Sequence, residues 1–150
     1  MQRSISHQKS LTPFLYVLLF VAYEGLSSIY LFLPPMFAVL FLLFANAIKR
    51  DDTVAIALIS FCLLIFEADK GYLLFSSIIY LTLVYKFILP KITTNFSCAS
   101  CIKISYVLLS YLGFFIFSLL IANIFLLPIP SISYYIIYYI VIEFLIVSVL

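Results

Sequence analysis

Charge is what this sequence has least of. Only 9% of its 150 residues are Asp, Glu, Lys or Arg, against about 25% in soluble domains. A water-soluble fold of this size has to clothe a large exposed surface with polar groups, and too few are present. The formal net charge is +2 and no basic run occurs, which excludes binding to a nucleic-acid backbone. Histidine occurs once, as His7 in a polar N-terminal stretch, so no apolar segment carries an imidazole base. Without that base, the serines of "GLSS" at 25–28 are not activated nucleophiles. No aspartate lies inside an apolar segment either, so a pair of intramembrane catalytic aspartates is excluded. Cysteine is limited to Cys62, Cys98 and Cys101, too few for a secreted disulfide framework. The expectation is a chain with no catalytic, cofactor or metal site.

What remains is strongly apolar. Hydrophobic residues make up 67% and the mean hydropathy is +1.30, so lipid is the expected solvent. A spanning helix needs about 20 mostly apolar residues. Six runs qualify or nearly qualify, near 11–29, 31–48, 53–66, 71–89, 104–127 and 131–150. They are continuous rather than alternating, which argues against a membrane barrel, and helices satisfy every backbone amide internally. The predicted fold is all-α: one polytopic transmembrane domain over 1–150, a bundle of about six helices. Pro34-Pro35 separates the first two runs, because a proline pair is comfortable at a helix start and disruptive inside one. The third run is short, with a re-entrant segment as the alternative. The first run follows Arg3 and Lys9 as in a signal peptide, but no cleavage site follows it. It is expected to stay as a span.

Charge placement fixes the expected orientation. With the N-terminus in the cytoplasm, Arg3, Lys9, Lys49, Arg50, Lys86, Lys91 and Lys103 fall inside, and Lys70 alone falls outside. That distribution follows the positive-inside rule and puts both termini in the cytoplasm of a multi-pass inner-membrane protein. The island "EADK" at 67–70 then becomes the outer turn between the third and fourth spans. Glu67, Asp69, Lys70 and Gly71 are candidate contacts for a partner on that face.

Glu24 and Glu143 lie deep in apolar runs, where a charge costs about 2.5–3.5 kcal/mol. Twelve Ile, Leu, Val and Phe side chains in the last run, at about 0.5 kcal/mol each, offset that cost. With Asn46 and Asn123, these acids are the candidate polar contacts inside the membrane. Ser27 and Ser28 stand on the face of Glu24, and Tyr139 is one turn from Glu143, so these are the expected donors. In that role the acids are glue between helices, and glutamine should substitute for either. A protein–protein contact and an ion or proton pathway through them are the competing possibilities. Asp51-Asp52 is expected in a solvated loop, and "NFS" at 95–97 is a glycosylation sequon on the wrong side. Cys98-Ala-Ser-Cys101 offers two of the four ligands of a structural zinc and is expected as a reduced pair.

Six short-looped helices in this length resemble the MreD family of rod-shape-determining membrane proteins. "LPPMFAVLFLLFANAIKRDD" is similar to that family's proline-led second helix and charged inner loop. "AIALISFCLLIFEADKGYLLFSSIIYLTLVYKF" resembles its third and fourth helices, with Asp69 ending one and Gly71 opening the next. The glycines usual in the family's third helix are absent here, where Ala55, Ala57 and Cys62 are the small residues. The resemblance implies a non-enzymatic scaffold subunit of the bacterial cell-elongation machinery. Its partners would be MreC-like, RodA-like and transpeptidase membrane proteins of peptidoglycan synthesis, embedded in membrane lipid. The family's fold is also similar to substrate-binding subunits of energy-coupling-factor transporters, which supplies an alternative role as a transporter subunit or small carrier.

Overall fold

A computed structural model of the chain describes residues 5–129, 131 and 133–149, the first six of them by backbone alone. The side chains of Arg3, His7 and Lys9 and the final Leu150 lie outside the described residues. Six helices run in sequence: α1 Ile5–Ile29, α2 Phe37–Lys49, α3 Thr53–Lys70, α4 over 76–95, α5 Ala99–Phe125 and α6 Tyr135–Val149. No strand occurs among the described residues. Both α4 and α5 carry a widened π turn, at Val84–Ile88 and Leu109–Gly113. Two helices, α1 from Leu11 to Ile29 and α5, are long and apolar enough to cross a membrane.

The expected number and type of elements are found, but several boundaries differ. α3 continues through "EADK" to Lys70. With 18 residues it is about 27 Å long, so the third helix is not short. The turn is instead residues 71–75. It opens at Gly71, whose φ of 73° lets the chain leave the helix in a left-handed conformation. Pro34 and Pro35 stand ahead of α2, not in its first turn, and both are buried. Asp52 caps α3, accepting from the Ala55 amide at 3.3 Å, so one member of the acidic pair has a structural task.

The centre of the bundle is aromatic. Phe37 stacks against Phe66 at 5.1 Å between ring centres and meets Phe114 at 4.9 Å. Leu63, Leu81, Phe41 and Val84 fill the space around them and are essentially inaccessible. Near its start α5 touches the end of α6, where the Lys103 ammonium donates to the Ser148 carbonyl at 3.3 Å. A cation there complements the last turn of that helix. The outward faces are apolar, most fully on α1, where Leu11, Leu15, Leu18 and Leu19 are all exposed.

Candidate functional site

α2 begins deep inside the bundle. Its first residues face Glu143, which lies eight positions into α6, about 12 Å below the start of that helix. A helix N-terminus leaves its first amides without partners, and here the buried Pro34, Pro35 and Phe37 keep water away. Glu143, fully buried, provides the missing acceptors. Its Oε1 accepts from the Phe37 amide at 3.1 Å and its Oε2 from the Ala38 amide at 2.7 Å. The Tyr111 hydroxyl, from the π turn of α5, also donates to Oε1. One side chain thus joins α2, α5 and α6. An acid in the middle of an apolar helix is here the cap of a neighbour's N-terminus, where the helix dipole favours negative charge.

The same construction recurs within "LIFEADKGYLLF" at 64–75. Glu67 is fully buried near the end of α3. Its carboxylate accepts from the Phe75 amide at 2.7 Å, the Ser76 hydroxyl at 3.1 Å and the Ser77 amide, all at the start of α4. Its backbone carbonyl accepts from the amides of Gly71 and Tyr72, closing α3. A single residue therefore ends one helix and starts the next. In both places the residue before the helix is left-handed without being glycine: Met36 at φ 54° and Phe75 at φ 69°. Such a conformation costs about 1–2 kcal/mol. It turns successive amides toward one point, the concave arrangement that holds anions, and the carboxylates occupy that point.

These contacts correct several expectations. Glu67 is not available to a partner, whereas Asp69, Lys70 and Gly71 are exposed. Asp69 pairs with Lys70 at 3.2 Å and accepts from the Ser28 hydroxyl of α1. Tyr139 does not reach Glu143; it donates to the Leu31 carbonyl at 2.6 Å. Ser27 donates to the Leu33 carbonyl at 3.2 Å, so neither serine serves Glu24. Asn46 and Asn123 are exposed on the outside of the bundle and join no helices among the described residues. Because both oxygens of Glu143 accept, glutamine is not its equivalent.

Glu24 is the exception among the interior acids. It is only 1% exposed, and neither carboxyl oxygen has a hydrogen-bond partner among the described residues. Among the described residues no three His, Cys, Asp or Glu side chains converge to hold a metal. Two cavities lie near the site. One of about 130 Å³ is lined by Pro35, Lys70, Tyr72, Tyr111 and Tyr139. The other, about 390 Å³, lies between the 71–75 turn and the α5–α6 connection, with Lys70, Tyr72, Ser76, Ser118 and Ser131 on its walls.

Sequence reasoning missed Tyr111 altogether and placed Glu67 on the surface. Tyr111 has no local signal, since its partner is 32 residues away. For Glu67 a signal existed: an acid shortly before a paired serine, Ser76-Ser77, which suits a helix start. Compared with protein-family models, curated proteins and solved structures, the chain matches none.

Proposed function

We propose that the protein is a non-enzymatic scaffold of the bacterial inner membrane, an MreD-like subunit of the cell-elongation machinery with both termini in the cytoplasm. The observation that carries this reading is the use of the interior carboxylates. Glu67 and Glu143, two of the three interior acids and among the groups most expensive to bury, are engaged in joining helices to one another. That favours a rigid body presenting outer surfaces. Those surfaces are apolar along α1 and carry the exposed Asp69–Lys70 pair at one end, suited to lipid and to membrane partners. The second reading, a transporter's substrate-binding subunit, is favoured by the cavity of about 390 Å³ with Lys70 and three serines on its walls.

Depletion in the native cell separates the two. The scaffold reading expects a rod-shaped or curved cell to round while solute uptake stays normal, with an MreC-like protein co-purifying with the chain. It also expects reporters fused after Lys9 and after Leu150 to be active only as cytoplasmic reporters. Loss of uptake of one solute with cell shape unchanged would favour the transporter subunit.

A further inference from the structure

The Cys98-Ala-Ser-Cys101 segment opens α5 and takes no part in the bundle's polar joints. Cys98 occupies the cap position, extended at φ −87° and ψ 120°, and its carbonyl accepts from the Ile102 amide at 3.2 Å. Cys101 follows one turn later, which puts the two Cα atoms about 5 Å apart. That separation lies within the range a disulfide spans, about 4.4–6.8 Å. Both thiols are free; Cys98 is exposed and Cys101 partly so, whereas Cys62 is buried. Cys98 stands beside the Cys101 thiol and the backbone amides of Ser100 and Cys101 at the start of the helix, and these neighbours draw its thiol below its ordinary value. The neighbouring Cys98 thiol, with burial, pushes Cys101 up. Residues 89–103 include Lys91 and Lys103 and no acid, so no neighbouring carboxylate along the chain opposes a thiolate. One cysteine is therefore built as the attacking thiol, and its neighbour is in position to resolve it.

We propose that Cys98 and Cys101 form a redox-active dithiol, oxidised by low-molecular-weight disulfides of the glutathione class and reduced by the corresponding thiols. The Cys98 thiolate, its proton given to water, attacks one sulfur of the disulfide RSSR. The RS–SR bond breaks, a Cys98–SR bond forms, and RS⁻ leaves and takes up a proton. Cys101 then loses its proton and attacks the Cys98 sulfur. The Cys98–SR bond breaks, the Cys98–Cys101 bond forms, and the second RS⁻ is protonated. The two cysteines lose two electrons and the oxidant gains them as two RSH.

The test uses the full chain, purified in detergent micelles and equilibrated with oxidised or reduced glutathione. Acid quenching, denaturation and N-ethylmaleimide then allow free thiols to be counted by intact mass. Reduced protein should take three adducts and oxidised protein one, at Cys62, with three restored by reduced glutathione. Cys101→Ser should instead accumulate a glutathione adduct on Cys98, and Cys98→Ser should keep both of its thiols free over the same period. In native micelles at pH 7, Cys98 should react with maleimide faster than Cys101, because it is the more exposed thiol and the one drawn toward the thiolate. Three free thiols in oxidised glutathione, or a disulfide formed only between two chains, would overturn the proposal. Zinc that co-purifies with the chain and blocks the oxidation would overturn it as well.

Discussion

Glu143→Ala removes the acceptor from three donors at once: the amides of Phe37 and Ala38 and the hydroxyl of Tyr111. Each buried donor left without a partner costs about 1–3 kcal/mol. Relaxation and entering water reduce the sum, so the expected loss is about 3–6 kcal/mol, large against the stability of a chain this size. Glu143→Gln keeps one acceptor and turns an NH2 group toward a donor, for about 1–3 kcal/mol. Tyr111→Phe removes one donor of the three and leaves the carboxylate held by both amides, at about 1 kcal/mol. The assay is thermal unfolding in micelles, reported by a thiol-reactive fluorophore at the buried Cys62, with Cys98 and Cys101 replaced by serine. Stability should fall in the order wild type, Tyr111→Phe, Glu143→Gln, Glu143→Ala. In the Glu143→Ala background Tyr111→Phe should cost nothing further or recover part of the loss, because the hydroxyl it removes has already lost its acceptor. Equal midpoints for Glu143→Ala and wild type would refute the capping role. A Tyr111→Phe cost that is the same in both backgrounds would refute the shared joint.

Glu67→Ala should destabilise by about 2–5 kcal/mol, since two amides and a hydroxyl lose their acceptor. Faster hydrogen exchange at the start of α4 than at its end would locate the loss. Phe75→Gly should hold or raise stability in the same thermal assay, because glycine adopts φ 69° freely, whereas Phe75→Val should lower it. Gly113→Ala should cost about 1–3 kcal/mol by overpacking. A methyl group there would lie 1.9 Å from the Tyr80 hydroxyl, which is held by its 2.7 Å bond to the Leu109 carbonyl. Adding Tyr80→Phe should recover part of that loss in the same assay.

The number and type of helices were legible because both depend on local composition. A continuous apolar run of about 20 residues has one way to satisfy its own amides, whichever neighbours it meets. Gly71, expected to open the fourth helix, instead ends α3, where a left-handed exit favours glycine. The turn itself was misplaced by four residues. Helical propensity and the capping of Glu67 keep "EADK" in the helix, although its polarity suggests a loop. Asn46 and Asn123 were misassigned for a related reason. Hydropathy says that a residue belongs to an apolar helix, but not which side of that helix faces the bundle.

The sequence by itself determined six apolar helices, their order and the scarcity of ionisable groups between them. Only the tertiary structure decided what those groups do. Glu143 and Phe37 are 106 residues apart, and nothing local to either marks the other as its partner. They meet because α2 starts below the end of the bundle, a depth set by how Phe37 seats between Phe66 and Phe114. Once that N-terminus is buried its amides need acceptors, and the acid that packing brings alongside supplies them.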